Sequence, residues 1–164
     1  MTQEISEADF LKMVKDLYGI SRIYYPGHGG DTFLGEAFKP KEIVYLDNEG
    51  DGAISYKPNR MYVKGDFGKS PFRNGTFDAL FYQENHANLG QTIEMLKTLR
   101  QGGIVIHGID FCFLQGVGEE DFARIPGLIK VELPFSNPTY TIFQKRYGSL
   151  TPLMQGLHKL LNTA

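Results

Sequence analysis

The stretch EIVYLDN, residues 42 to 48, narrows the choice of fold more than any other. It is a continuous apolar run closed by an acid, with no polar alternation, so both of its faces need cover. That suits a strand buried inside a parallel sheet. Upstream, SRIYYPG at residues 21 to 27 is a second strand-like run, stopped by Pro26 and Gly27. Between them, DTFLGEAF sets Phe33, Leu34, Ala37 and Phe38 on one helical face. Parallel neighbours need a crossover connection, and strand, helix, strand supplies it as a βαβ unit.

The alternation continues in both directions. EADFLKMVKDLY, residues 7 to 18, places Phe10, Leu11, Val14, Leu17 and Tyr18 at helical spacing. Ser6 and Asp9 have capping-box spacing before it, and Gly19 ends it. MYVKGDF reads as a third strand ending in Gly65 and Asp66, and FDALFYQ as a fourth. NLGQTIEMLKTLRQGG predicts a helix with Leu89, Ile93, Leu96 and Leu99 in register and Gly102 at its end. GIVIHG follows as a fifth strand and GEEDFARI as a short helix. Residues 49 to 60 hold two glycines and a proline, so a helix there is short or absent. LIKVELPF and TYTIFQKR are two β-rich runs joined by SNP, which predicts an antiparallel hairpin with a three-residue connector. TPLMQGLHKLLNT predicts a last helix with Leu153, Leu157, Leu160 and Leu161 on one side.

The fold class that follows is α/β. It is a doubly wound, Rossmann-like sheet, mostly parallel, with one antiparallel strand from the C-terminal hairpin and helices on both faces. The 164 residues carry no repeat or linker and read as one domain, 1–164. The single cysteine, Cys112, allows no internal disulfide and no cysteine-based zinc site, and DFCFLQG makes it a small apolar filler. A net charge of −2 argues against a protein that holds nucleic acid by charge, and Lys69 and Arg73 in FGKSPFRNG read as a solvated loop. The charged N-terminus has no signal-peptide core, and no stretch approaches a membrane span. The expectation is a soluble, cytoplasmic protein.

The chemistry concentrates at YYPGHGGD, residues 24 to 31. In a doubly wound sheet, ligands sit outside the carboxyl ends of the strands at the switch point. Glycine there lets the backbone approach a ligand closely, and the next helix begins near Asp31 with free N–H groups facing the same crevice. Asp47, 20 residues after Gly27, has the spacing of an acid that accepts hydrogen bonds from ribose hydroxyls. Asp66 and Phe67 end the third strand, where an acid can bond an adenine amino group and an aromatic can cover its face. Three strand ends thus converge on an adenosine-shaped site. A dinucleotide fits less well. The run from Gly27 is G-H-G-G-D-T, with Thr32 in place of the third glycine, and Asp31 sets a negative charge where a pyrophosphate would sit.

In these motifs the chain resembles the class I S-adenosylmethionine-dependent methyltransferases. IYYPGHGGD resembles their first motif, and more closely the YPGxGxD version of a group of small members. VYLDN resembles the second motif, VKGDF the third, FDALFYQ the fourth-strand motif and LKTLRQGGIVIHG the signature after it. The resemblance covers roughly residues 20 to 146. It implies S-adenosyl-L-methionine as cofactor and methyl transfer to an unknown acceptor. It implies that Gly27 and Gly29 border the methionine part, with Tyr25, Pro26 and His28 alongside. Asp47 would take the ribose hydroxyls, Asp66 the adenine amino group with Phe67 stacked nearby, and Gln83 would face the sulfonium and the acceptor.

FYQENHANLG is the place to look for catalysis, since Gln83, Glu84, Asn85 and His86 follow the fourth strand. Glu84 or His86 could serve as a base where the acceptor must lose a proton. Asn85 or His86 could equally cap the next helix. His107 ends the fifth strand near the same rim. The histidine spacing shows no local ligand pair, so no metal is expected. No Asn/Asp-Pro-Pro-Tyr motif is present, which leaves methylation of base amino groups unsupported. A second reading is non-enzymatic. The same fold would act as a binding or scaffold subunit, with Leu153, Met154, Leu157 and Leu161 supplying a face for a homodimer.

Overall fold

The computed structural model describes residues 2–27, 34, 38, 42–47, 60–83, 87–108 and 117–146, with the backbone alone at 47, 60, 62 and 67. Its elements in chain order are β1 (Gln3–Glu4), α1 (Glu7–Tyr18), β2 (Arg22–Pro26), β3 (Glu42–Asp47), β4 (Arg60–Lys64), a 3₁₀ turn (Phe67–Lys69), β5 (Phe77–Tyr82), α2 (Leu89–Thr98), β6 (Leu99–Gly108), α3 (Glu119–Arg124), β7 (Leu128–Lys130), β8 (Phe135–Ser136) and β9 (Tyr140–Lys145).

Seven strands form one sheet in the order β4-β3-β2-β5-β6-β9-β7. All pairings are parallel except those of β9, which runs antiparallel to both β6 and β7. The chain winds outward in one direction from β2 and in the other from β5. The switch point therefore lies between these two strands.

Strand alternation sends successive side chains to opposite faces. One face gathers Ile23, Tyr25, Ile43, Tyr45 and Phe81 beneath Phe10, Leu11 and Val14 of α1. Leu34 and Phe38 are helical and fully buried in the same layer. The other face gathers Tyr24, Val44, Leu80 and Tyr82 against Met95 and Leu96 of α2 and Phe122 of α3. This is the three-layer arrangement that the βαβ pattern predicts.

The α1 signals hold. The Ser6 hydroxyl accepts the Asp9 N–H at 3.2 Å, and Gly19 closes the helix in the left-handed region at φ 60°. Asp78 ties the amino ends of three strands together. It accepts both the N–H and the hydroxyl of Ser21, the Arg22 N–H, and Arg100 Nε at 2.7 Å. Burial alone would raise its carboxyl, but these hydrogen bonds hold it below the ordinary carboxylate range.

Four sequence expectations need correction. The helix over 88–102 stops at Thr98, and Leu99 already lies in β6. The reason is a bulge: Phe77 faces Leu99 while Ala79 faces Ile104, and Gly102 takes φ 75° within the extra residues. Neither Asn85 nor His86 caps α2. Asn88 does, through a capping box with Gln91 in which each side chain accepts the other's N–H at 2.9 Å. The C-terminal hairpin is real, but its connector is longer than three residues. Lys130 faces Phe143, after which the chain leaves the sheet. Phe135–Ser136 instead pairs in parallel with Gln3–Glu4, a small second sheet that the sequence reading did not foresee. The helices predicted at 31–38 and 151–163 lie outside the described residues, apart from Leu34 and Phe38.

No helix among the described residues is long and apolar enough to cross a membrane.

Candidate functional site

The carboxyl ends of β2, β3, β4, β5 and β6 share one rim of the sheet. β2 ends at Pro26, and Gly27 follows at φ 85°, a conformation that L side chains rarely adopt. Its N–H donates to the Leu46 carbonyl at 2.8 Å, which keeps the turn against β3. The Tyr25 ring, 1% exposed, packs between Tyr45 and Phe81 at 5.4 and 5.0 Å on the α1 face. At the rim, Tyr25 therefore presents backbone.

Asp47 closes β3, paired in register with Lys64 of β4. Gly65 then lets the chain leave β4 closely, because a Cβ there would stand 2.8 Å from Leu46 Cδ1. Asp66 follows and is exposed. Its Oδ1 accepts the Gly68 N–H at 2.7 Å and so caps the 3₁₀ turn that begins at Phe67. One carboxylate oxygen is engaged by the turn, leaving Oδ2 for other donors.

Gln83 follows β5 and is partly buried. Its side chain lies against Gly108, the last residue of β6, where a Cβ would come within 3.1 Å of Gln83 Cγ and 3.3 Å of Cδ. The glycine at 108 thus sets where the Gln83 amide sits. The capped N-terminus of α2 stands beside this rim, and Gly68 of the 3₁₀ turn approaches Gln91 of that helix. The rim brings together Gly27, Asp47, Asp66, Phe67 and Gln83. His28, Gly29, Glu84, Asn85 and His86 lie outside the described residues.

His107 is 1% exposed, stacked on Tyr82 at 5.5 Å and edge-on to Phe122 at 4.9 Å. Its Nε2 is 3.2 Å from the Val117 carbonyl, while Nδ1 is buried without a hydrogen-bond partner among the described residues. Burial pushes its pKa below the ordinary histidine value, against the opposing pull of the Val117 bond. The ring is therefore neutral at pH 7 and sits one residue short of the rim. Among the described residues, no three His, Cys, Asp or Glu side chains stand close enough to hold a metal.

Gly108 and Asn88 were missed as site-building residues. Both left a signal: VIHG repeats the strand-then-glycine ending of YYPG and YVKG, and Asn88 stands three residues before Gln91.

No family model matches the chain, and no curated protein matches it in sequence. Solved structures do match its fold. A candidate S-adenosyl-L-methionine-dependent methyltransferase of Methanococcus maripaludis superposes with a TM-score of 0.60 at 13% identity, covering 85% of this chain and 84% of that one. A methyltransferase of Geobacter sulfurreducens gives 0.54 at 16%, covering 88% and 80%. A structure holding the Haloferax volcanii Trm112 methyltransferase activator with a candidate methyltransferase gives 0.55 at 14%, covering 85% and 95%. The chain has the methyltransferase form of the doubly wound fold.

Proposed function

We propose that this chain binds S-adenosylmethionine across the carboxyl ends of β2, β3 and β4, and that it is a methyltransferase for an acceptor held on the same rim. The observation that carries this reading is Gly27. It stands at positive φ just after β2, at the switch point of a sheet whose likeness is to methyltransferases.

The residues present suit the cofactor. Ribose hydroxyls and an adenine amino group are donors, and the strand ends offer two carboxylates, Asp47 and Asp66. The use of Asp66 Oδ1 by the turn fixes that carboxylate and leaves Oδ2 for the amino group. Gly27 and Gly29 would admit the methionine part, flanked by Pro26, His28 and the Tyr25 backbone. Phe67 would cover the adenine. When bound, S-adenosylmethionine supplies an electrophilic methyl group on a sulfonium centre.

The protein's own contribution is alignment. Gln83, laid against Gly108, would orient the acceptor and exclude water from the transfer line. Glu84 or His86 would take the proton from an acceptor that must lose one.

The test is thermal unfolding with and without S-adenosylhomocysteine. At about 100 times its dissociation constant the ligand adds about 2.7 kcal/mol to the folded state. The upshift should vanish in Asp47→Ala. Asp66→Asn keeps an oxygen to cap the turn while removing the charge, whereas Asp66→Ala removes both. If Asp66 meets the ligand as proposed, both variants weaken binding and the alanine alone also destabilises the apo protein. No upshift in the wild type at millimolar ligand would overturn the reading and leave a scaffold built on this fold.

A further inference from the structure

The start of α2 and the 3₁₀ turn after β4 come from different parts of the chain and meet at Gly68. α2 is entered through Asn88, followed by Leu89, Gly90 and Gln91. Asn88 Oδ1 accepts the Gln91 N–H, and Gln91 Oε1 accepts the Asn88 N–H, both at 2.9 Å. Gly90 leaves room for this exchange, because a Cβ there would stand 3.3 Å from Asn88 Oδ1. Bonded at its tip, the Gln91 side chain is held in one arrangement, stem included.

That stem is what the turn rests beside. A Cβ on Gly68 would lie 3.5 Å from Gln91 Cγ and 3.4 Å from Asp66 Oδ1. The glutamine stem and the carboxylate oxygen therefore flank the same glycine, with space between them that a methyl group would fill. The Gly68 N–H donates to that same oxygen at 2.7 Å. Further along the loop, Phe72 is set in the core, edge-on to Tyr24 at 5.3 Å and to Phe77 at 5.1 Å. Phe72 fixes the far end of the loop, and Gln91 meets the end that carries Asp66. Asp66 is exposed, so its direction comes from the turn and not from packing around the carboxylate. A hydrogen bond weakens steeply when its angle is lost, so a carboxylate selects a donor only where it is held in line with it.

We propose that Gln91 is a positioning residue that sets base selectivity. Through Gly68 it holds Asp66 where Oδ2 accepts from the 6-amino group of adenine. The inference rests on the cofactor reading above and adds to it a residue from a second element, which acts through Asp66 and not on the cofactor itself.

The experiment is calorimetry of the full chain with S-adenosylhomocysteine and with its analogue carrying hydrogen in place of the 6-amino group. In the wild type the amino group should tighten binding roughly tenfold. Gln91→Ala should cut that preference to roughly threefold or less. Gln91→Glu keeps the stem and an acceptor for the Asn88 N–H, and should keep the preference. Ser6→Ala removes the cap of α1, on the opposite face of the sheet, and should leave the preference unchanged, which controls for lost stability alone. Without ligand, exchange of the Gly68 amide with water, followed by nuclear magnetic resonance, should speed roughly threefold in Gln91→Ala and not in Gln91→Glu. A preference retained in Gln91→Ala, or lost equally in Ser6→Ala, would overturn this inference and leave the cofactor reading standing. Gly68 exchange unchanged in Gln91→Ala would do the same. Wild-type protein that binds neither ligand would overturn the cofactor reading itself, and this inference with it.

Discussion

Lys145 is the least expected group in the core. It is 2% exposed, and its Nζ donates to the carbonyls of Leu96 and Leu99 at 2.8 and 2.6 Å. Both carbonyls lie at the end of α2, the first of them also accepting the Leu99 N–H, and a cation is well placed there. Burial nevertheless pushes the ammonium pKa down from 10.5 to about 8. Between those values the unfolded chain binds a proton that the native chain has released, so stability must rise with pH across the window. The slope approaches about 1.4 kcal/mol per pH unit. Integrated from about pH 8 to about pH 9.5, the gain is about 1.5 kcal/mol, or roughly 4 °C in Tm for a chain of this size.

The assay is urea unfolding at steps of pH for the wild type and Lys145→Met, with the two curves subtracted. Tyr24 and Tyr18 work in the opposite sense. Burial raises their pKa values, so their unfolded hydroxyls ionise first and stability falls at higher pH. That effect is common to both proteins and cancels. Methionine removes a desolvated charge but takes a donor away from two carbonyls, opposing effects at pH 7. The prediction therefore rests on the pH dependence and not on the offset. A flat difference curve from pH 8 to pH 9.5 would refute the reasoning.

Two substitutions probe the strand junctions. Gly103→Ala puts a Cβ 2.9 Å from the carbonyl oxygens of both Arg100 and Asp78, and backbone on two sides cannot yield. A loss of about 3 kcal/mol or more should appear in urea unfolding, and a loss below about 1 kcal/mol would contradict the packing. In Gly108→Ala the atoms nearest the new Cβ all belong to the Gln83 side chain, which can give way, so stability should fall by less than about 1 kcal/mol. Displacing Gln83 should weaken S-adenosylhomocysteine about tenfold by calorimetry, with no further loss in a Gln83→Ala background; additive losses would show that Gly108 acts some other way.

The elements most legible in the sequence were those whose local and long-range signals agree. Ser6, Gly19 and the apolar face of EADFLKMVKDLY all specify α1. The uninterrupted EIVYLDN could be buried only as an inner strand, and it pairs with β2 and β4. Leu99 misled because it continues the α2 apolar spacing. What stops the helix is tertiary: the Leu99 N–H bonds to the Leu96 carbonyl, Arg100 reaches Asp78, and the chain is drawn into the sheet. LIKVELPF misled because β propensity does not state a partner, and the run divides between β9 and the N-terminal β1. Nothing in TYTIFQKR marks Lys145 for burial. Its burial depends on where a helix 46 residues earlier in sequence happens to end.

The candidate site shows the same division more sharply. Three strands, β2, β4 and β6, finish at or just before a glycine, and the sequence presents these endings alike. The structure gives each a different cause. Gly27 is needed for its backbone angle, Gly65 for the approach of Leu46, and Gly108 for the resting place of Gln83. At Gly27 any side chain is strained whatever the surrounding space; at Gly65 it meets a packed leucine; at Gly108 it meets a movable amide. The first two shape the rim itself, while the third positions a group upon it. Substitution should therefore cost fold and ligand together at Gly27 and Gly65, and chiefly ligand at Gly108. The rim's shape follows from backbone and core packing, which patterning encodes. The position of a polar side chain on it depends on a neighbour from another strand, which patterning does not encode.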